Sequence, residues 1–232
     1  MKTILFDLDG TLLPMDQEIF IKAYFHALAK KMAPYGYEPE RLIQAVWKGT
    51  GRMVRNTGEK TNEEVFWEDF AEVFGERAYE DRRLFDEFYE NEFHEARKVC
   101  GVNPAAEELI RKLKSAGYGL ILATNPLFPM TAQKNRISWA GLDFRDFDYI
   151  TSYENSSYCK PNPDYYRQVL GVRGLDAADC LMVGNDVQED MIAGSLGIDT
   201  FLLTDCLINS KEKDISVYRR GSFGELSEYI LG

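Results

Sequence analysis

Short runs of apolar residues, each followed by a polar or glycine-bearing turn, recur along the 232-residue chain and constrain its fold most strongly. The apolar residues do not alternate with polar ones, as they do in strands with one face in water. Unbroken runs of this kind are typical of strands buried on both faces of a parallel sheet. The predicted strands are 3–6, 120–123, 149–151, 181–183 and 200–203.

Helical patterns lie between these runs. The clearest covers 104–116, where Asn103 is a suitable N-cap and Gly117 follows the last apolar residue. Further helices are predicted to begin near Pro163 and to run over 187–197. Strands that alternate with helices predict a doubly wound, Rossmann-like α/β sheet with parallel strands.

The segment that follows the first strand has a different pattern of apolar residues. It shows no strand pattern, and its apolar residues recur at helical spacing. Turn residues at 34–36, 49–51 and 75 divide it into about four helices. We therefore predict an all-α unit inserted into the α/β unit. The predicted bounds are 1–15 and 97–232 for the α/β unit and 16–96 for the helical unit.

Composition excludes several classes of function. Asp and Glu outnumber Lys and Arg by 38 to 27, a net charge of -11, which opposes binding to a nucleic-acid backbone. The four cysteines are widely spaced without a Cys-x-x-Cys pair, which favours free thiols in a reducing compartment over a zinc or disulfide framework. No apolar run approaches the roughly 18 residues of a membrane span, so we expect a cytoplasmic protein without a membrane partner.

Histidine and aromatic residues give no cofactor signal. The chain has only two histidines, His26 and His94, without a partner at metal-ligand spacing, and we interpret both as structural or surface residues. Acid and base chemistry is therefore expected from carboxylates. The aromatic residues of the helical insert are interpreted as the core of a small bundle.

Two carboxylates follow the first predicted strand in the sequence Asp7-Leu8-Asp9-Gly10-Thr11. Carboxyl ends of parallel strands form the ligand crevice of α/β sheets. Two carboxylates two residues apart on extended chain project from one side and repel each other, which favours a divalent cation or a shared proton between them. An ordinary Asp-Gly turn is the alternative.

Polar residues also follow three later predicted strands. Thr124 and Asn125 follow 120–123 and are suited to bind anionic oxygens. Lys160 lies in a Lys-Pro-Asn-Pro-Asp-Tyr-Tyr segment, where a cation would offset carboxylate and phosphoryl charge. The Gly-Asn-Asp-Val-Gln-Glu-Asp segment at 184–190 supplies oxygen ligands. Taken singly, these are also typical of a turn, a solvated lysine and an acidic helix cap.

In this order, the segments resemble the motifs of the haloacid dehalogenase superfamily of phosphatases, over residues 1 to about 205. The resemblance implies that Asp7 is a nucleophile that forms an aspartyl-phosphate, and that Asp9 is the general acid and base, with its carbonyl on Mg²⁺. It also implies that Thr124 and Asn125 bind phosphoryl oxygens and that Lys160 holds the nucleophile and phosphoryl group. Family members that displace halide lack the second aspartate, so the presence of Asp9 favours phosphate chemistry over displacement of halide.

The fourth motif departs from the family's common Gly-Asp pattern. This chain has Gly184-Asn185, with the next aspartate at 186. The resemblance therefore places the remaining Mg²⁺ ligand at Asp186, with Asn185 and Asp190 in support. Loss of one acid is expected to weaken metal affinity.

The helical insert resembles the family's cap, which closes over the crevice and contacts substrate. Residues 12–16 and 96–103 would be its hinges. Within it, the segment 48–56 is predicted to be a glycine-bearing turn, and Lys48 or Arg52 is a candidate to read an anionic or polar group of the substrate. A solvated loop is the alternative.

The function predicted from the sequence is Mg²⁺-dependent hydrolysis of a small phosphate ester. A phosphomutase of the same family would use the same residues. A non-enzymatic receiver that accepts phosphate on an aspartate, or an inactive binding module, is the alternative from another class. The sequence determines neither the substrate nor the oligomeric state.

Overall fold

The parallel sheet that the apolar runs predict is present in the computed structural model, which describes residues 2–232. It has six strands, all of which are short. They are β1 (Thr3–Phe6), β2 (Gly119–Leu122), β3 (Tyr149–Ile150), β4 (Cys180–Gly184), β5 (Asp199–Leu203) and β6 (Arg220–Gly221).

The strand order is β3-β2-β1-β4-β5-β6, and all neighbouring strands are parallel. Phe6, the last residue of β1, is in register with Leu122 of β2 and Val183 of β4. The carboxyl ends of the three central strands therefore lie together at one edge, the ligand-binding edge of α/β sheets. The predicted α/β fold class is confirmed, and β6 is a strand that the sequence did not predict.

Five of the helices lie in the insert and four flank the sheet. Those of the insert are α1 (Gln17–Met32), α2 (Pro39–Val54), α3 (Asn62–Phe74), α4 (Arg77–Glu80) and α5 (Arg82–Glu90). Those of the sheet unit are α6 (Pro104–Ser115), α7 (Met130–Trp139), α8 (Pro163–Arg173) and α9 (Phe223–Leu231).

Local sequence signals explain the ends of two of these helices. The Asn103 side chain accepts a hydrogen bond from the Ala105 amide at the start of α6, and Asn162 does the same for Asp164 at the start of α8. Gly117 follows α6 with φ of +81°, a conformation that glycine adopts at no steric cost. Both predicted helices are confirmed.

The predicted turn at 49–51 is wrong, because α2 continues through it to Val54. A Cβ atom on Gly49 would lie 2.7 Å from the Phe66 ring of α3. Gly49 therefore permits close packing of the two helices, and this contact offsets the cost of about 1 kcal/mol that a helical glycine carries.

The predicted helix over 187–197 is also wrong. The segment forms only a 3₁₀ helix, Met191–Leu196, and the residues before it make a turn. In that turn the Asp186 carboxylate accepts hydrogen bonds from the amides of Gln188 and Glu189. Side-chain acceptors of this kind compete with the regular helical pattern.

The aromatic residues of the insert form its core, as predicted. Phe70 and Phe88 are fully buried, and Phe70 packs edge-on against Phe85 with ring centroids 5.4 Å apart. His26 and His94 are both exposed, and His94 Nδ1 accepts a hydrogen bond from Trp139 Nε1. The interpretation of both histidines as structural or surface residues is confirmed.

The two segments that join the insert to the sheet unit run side by side. The Gly101 amide donates to the Pro14 carbonyl at 2.7 Å, and Met15 forms an isolated bridge with Cys100. The unit boundaries at residues 16 and 97 stay a prediction. Across residues 2–232, no helix is both long enough and apolar enough to cross a membrane.

Candidate active site

Asp7 lies directly beyond β1 and is buried, with 7% of its surface exposed. Its amide donates to the Val183 carbonyl at 2.9 Å, which extends the ladder between β1 and β4 by one residue. The chain then turns at Gly10, which has φ of +81°. This turn brings Thr11 back, so that its Oγ1 lies 3.3 Å from Asp7 Oδ2 and 2.9 Å from Asn185 Oδ1. The sequence analysis assigned no role to Thr11.

Lys160 lies between two buried carboxylates. Its Nζ donates to Asp7 Oδ1 at 2.9 Å and to Asp190 Oδ1 at 2.7 Å, and its side chain is fully buried. Burial by itself lowers the pKa of Lys160, but Asp190 and Asp7 outweigh this and hold the pKa well above its usual value. Lys160 is therefore a fixed cation next to Asp7.

Asp9 pairs with a different cation from Asp7. It forms an ion pair with Arg136 of α7, a fully buried residue whose guanidinium also lies 4.4 Å from the centre of the Phe128 ring. Burial raises the pKa of the Asp9 carboxyl, and Arg136 opposes this rise. The sequence analysis missed Arg136, and the sequence offered no signal for it, because α7 itself was not predicted.

Thr124 and Asn125 follow β2 at the same edge of the sheet. The Thr124 carbonyl accepts hydrogen bonds from the hydroxyls of Thr151 (2.7 Å) and Tyr165 (2.9 Å), which fix the backbone here. Asn125 Nδ2 donates to Glu189 Oε2 at 3.0 Å. Burial raises the pKa of Glu189 to about 8, although Lys160 opposes this.

The 184–190 segment is arranged differently from the expectation. Asp186 Oδ1 accepts from the amides of Gln188 (2.7 Å) and Glu189 (2.9 Å), so this carboxylate oxygen is occupied within its own turn. Asn185, expected only in support, is the residue that the Thr11 hydroxyl links to Asp7. Asp190, also expected to support a metal, is instead the second partner of Lys160.

The oxygen atoms at this edge are of the chemical type that binds a hard cation. Asp7 contributes a carboxylate and Asn185 an amide oxygen, and Mg²⁺ prefers such oxygen ligands. Asp9 Oδ1 is buried and has no hydrogen-bond partner within the described part of the chain. Among residues 2–232, no group of three His, Cys, Asp or Glu side chains is placed to hold a metal ion by itself. A bound Mg²⁺ would therefore need backbone, amide and water oxygens in addition to the Asp7 carboxylate and the second carboxylate oxygen of Asp186.

The cap candidates Lys48 and Arg52 do not join this site. Lys48 Nζ forms ion pairs with Glu72 at 2.7 Å and Asp69 at 3.4 Å on α3. Arg52 lies on the exposed surface of α2. Within the described residues, no hydrogen bond or ion pair joins either side chain to the residues at the carboxyl ends of the strands, so their predicted contact with substrate stays a prediction.

Proteins with known names have sequences similar to that of this chain. The chain is 28% identical over 195 residues to a phosphoglycolate phosphatase of Aquifex aeolicus, covering 84% of this chain and 80% of the relative. It is 24% identical over 197 residues to the pyrophosphatase PpaX of Bacillus velezensis, covering 85% and 80% of the two chains.

Solved structures show the same fold. A crystal structure described as a predicted phosphoglycolate phosphatase from Haemophilus somnus superposes with a TM-score of 0.59 at 18% identity, covering 99% of this chain and 98% of that one. The model of the haloacid dehalogenase-like hydrolase family matches residues 1–196. The chain therefore belongs to the haloacid dehalogenase-like hydrolases.

Proposed function

We propose that this protein is a Mg²⁺-dependent phosphatase that hydrolyses a small phosphate monoester through an aspartyl-phosphate on Asp7. The observation that carries the proposal is the pairing of two neighbouring aspartates with separate buried cations, Asp7 with Lys160 and Asp9 with Arg136. The names of the relatives, phosphoglycolate phosphatase and pyrophosphatase, support hydrolysis of phosphoryl compounds.

Asp7 is the proposed nucleophile. One of its carboxylate oxygens attacks phosphorus while the bond from phosphorus to the ester oxygen breaks. Lys160 donates a hydrogen bond to Asp7 and offsets the negative charge of the phosphoryl group as it approaches. Asp190, on the other side of Lys160, holds the ammonium group in place.

Asp9 is the proposed general acid and base. Its raised pKa suits it to carry a proton, which it gives to the leaving alkoxide in the first step. In the second step the Asp9 carboxylate takes a proton from water. The water oxygen attacks phosphorus, the bond to Asp7 breaks, and inorganic phosphate leaves with Asp7 regenerated.

Residues that bind the phosphoryl oxygens and Mg²⁺ complete the proposed site. Thr124 and Asn125 bind the phosphoryl oxygens at the end of β2. Asp7, the Asp9 carbonyl and Asp186 are the proposed ligands of Mg²⁺, with Asn185 in support. When bound, Mg²⁺ would neutralise charge on the phosphoryl oxygens and on Asp7.

The first prediction concerns Asp7. We expect Asp7→Asn to abolish turnover of p-nitrophenyl phosphate in Mg²⁺, because an amide is too weak a nucleophile to attack phosphorus. Steady-state release of nitrophenol measures this, and EDTA should have the same effect on the unmodified protein. Asp199→Asn is a matched control, since Asp199 is exposed at the amino end of β5. Equal rates for Asp7→Asn and the unmodified protein would contradict the proposal.

A phosphomutase would use the same residues, and the products distinguish the two reactions. Phosphorus NMR of a sugar phosphate incubated with the protein is expected to show inorganic phosphate. A positional isomer of the sugar phosphate without free phosphate would instead identify a mutase.

A further inference from the structure

An aromatic pocket lies where the insert meets the sheet unit. Its walls come from α1, α2, α3 and α5, and its floor comes from the loops after β2 and β3. The cavity has a volume of about 110 Å³, whereas a single buried water needs only about 10–15 Å³. The pocket is therefore large enough for a small organic group.

The pocket lies next to the proposed catalytic groups. Phe128, in its floor, packs against the Arg136 guanidinium that pairs with Asp9. Leu127, also in the floor, is two residues beyond Asn125. A phosphate ester held at the edge of the sheet would thus have the pocket within reach of its leaving group.

The described residues that line the pocket carry no formal charge. Of the basic residues of the insert, Lys48 is paired with Glu72, and Arg82, whose guanidinium lies 5.0 Å from the centre of the Trp67 ring, is paired with Glu63. A carboxylate on the leaving group would therefore be desolvated without a cationic partner, which is costly. The leaving group of phosphoglycolate carries such a carboxylate.

Most polar atoms of the pocket wall are already bonded to each other. The hydroxyls of Tyr24 and Tyr89 are 3.0 Å apart, and Thr50 Oγ1 donates to the Val46 carbonyl at 2.8 Å. Trp67 Nε1 faces the hydroxyl of Tyr153, another residue of the pocket. The polar atoms of the wall are thus turned towards one another, and the surface that remains favours an apolar ring.

We infer that this pocket binds the leaving group of the phosphate ester and that the leaving group is an uncharged alcohol bearing a ring. The inference rests on the proposed phosphatase function and names its class of substrate. Aromatic rings such as Phe66 and Phe128 would contact the bound ring, while the phosphoryl group lies at Asp7.

The test compares two alkyl phosphates, benzyl phosphate and 2-phosphoglycolate. Both release an alcohol rather than a phenol, so aromatic activation of the leaving group does not favour benzyl phosphate. We expect kcat/KM to be at least tenfold higher for benzyl phosphate. Equal values, or a preference for phosphoglycolate, would overturn the inference and leave the phosphatase function standing.

A charge placed in the pocket gives a second comparison. Thr50→Arg puts a cation on the half-buried α2 wall. We expect it to lower kcat/KM for benzyl phosphate at least tenfold, so that the preference for benzyl phosphate over 2-phosphoglycolate becomes smaller or reverses. Val54→Arg is the matched control, because Val54 lies on the same helix, is exposed and does not line the pocket. An unchanged ratio of the two substrates in Thr50→Arg contradicts the inference.

Tryptophan fluorescence tests the pocket without turnover. Two of the three tryptophans, Trp47 and Trp67, line it. We expect benzylphosphonate, which cannot be hydrolysed as an ester, to change their emission in the unmodified protein and in Val54→Arg, with much weaker binding to Thr50→Arg. Binding without turnover of any ester would support the pocket and contradict the phosphatase. Equal binding of benzylphosphonate and phosphonoacetate would overturn the pocket inference.

Discussion

Two aspartates only two residues apart have different surroundings in this protein. Asp7 shares the buried Lys160 with Asp190, whereas Asp9 pairs with Arg136. Separate environments suit the two carboxyls to different roles, the condition for a nucleophile and a general acid in one site. Arg136 is therefore a positioning residue in the proposed mechanism, because it acts on substrate only through Asp9.

The second prediction concerns this ion pair. We expect Arg136→Met to lower kcat about 10- to 100-fold and to shift the pH optimum of kcat upward. The shift follows because Arg136 opposes the rise in the Asp9 pKa, so its removal lets that pKa rise further. Arg136→Lys should recover part of the rate, since it restores the charge but not the planar guanidinium. A pH series of kcat measures both effects.

Stability gives a check on the same variant. Removing one partner of a buried ion pair costs about 3–5 kcal/mol, so urea unfolding is measured alongside the rates. Arg145→Met is the matched control, because Arg145 is exposed and pairs with Asp143. A variant that unfolds more easily but keeps the pH optimum of the unmodified protein would show a purely structural role for Arg136.

At this scale the sequence predicted the groups that follow strands but not the group on a helix. Asp7 and Lys160 were expected near each other because each belongs to a motif that follows a predicted strand, and the structure places them 2.9 Å apart. Arg136 lies in α7, where a single buried arginine looks like any solvated basic residue in the sequence. Its burial depends on packing against Phe128, which no local pattern records.

At the scale of elements, the contact between α2 and α3 decides the shape of the insert. Gly49 in α2 lies against the Phe66 ring, and a Cβ at this position would approach the ring to 2.7 Å. Phe66 also lines the aromatic pocket. The spacing of the two helices therefore sets the position of one pocket wall.

The third prediction uses two glycines of α2. We expect Gly49→Ala to destabilise the protein, because overpacking costs about 1–3 kcal/mol and outweighs the gain in helix propensity. Gly51→Ala, two residues further along the same helix, should be neutral or stabilising by up to about 1 kcal/mol, since its Cβ would meet only the flexible Arg55 guanidinium at 3.3 Å. Urea unfolding of both variants measures the difference, and equal stability would contradict the packing argument.

Element prediction succeeded where the local signal and the tertiary contacts agree. The β1, β4 and β5 runs and the capped helices α6 and α8 were predicted on sequence alone. The errors at 49–51 and 187–197 have different causes: Gly49 serves a contact with α3, whereas the Asp186 carboxylate binds amides of its own turn. By local rules alone, the glycines at 49–51 predict a turn and the acidic residues at 186–190 predict a helix cap.

At the scale of the whole molecule, the insert lies directly on the sheet unit. The start of α3 is bound to the loop that precedes Lys160: the Asn62 amide donates to the Ser156 carbonyl at 2.8 Å, and Asn62 Nδ2 lies 3.3 Å from Cys159 Sγ. Asp7 and Arg136 are both buried in this arrangement. We expect the contact to open when substrate enters.

The fourth prediction tests this opening with a disulfide. Asn62→Cys places a thiol beside the native Cys159, which is free and buried. Oxidation is expected to join the two units and lower kcat/KM for p-nitrophenyl phosphate at least tenfold, and a reductant should restore it. Mass spectrometry confirms the bond.

Two controls separate closure from loss of Asn62 itself. Asn62→Ser and the double variant Asn62→Cys with Cys159→Ser lack the disulfide and should respond to neither oxidant nor reductant. Full activity of the cross-linked protein would show that substrate reaches Asp7 without separation of the insert from the sheet.

The sequence by itself determined the α/β fold class and most of the acidic and basic groups at one edge of the sheet, because strand hydrophobicity and the residues that follow a strand are local properties. Only the tertiary structure decided that Arg136 pairs with Asp9, that Asn185 faces Thr11, and that the aromatic residues of the insert leave an uncharged pocket beside them. These contacts join residues from 65 to more than 170 positions apart, or from several helices at once, and their energies depend on burial and distance. Burial and distance depend on the folded chain and cannot be deduced from neighbouring residues in the sequence.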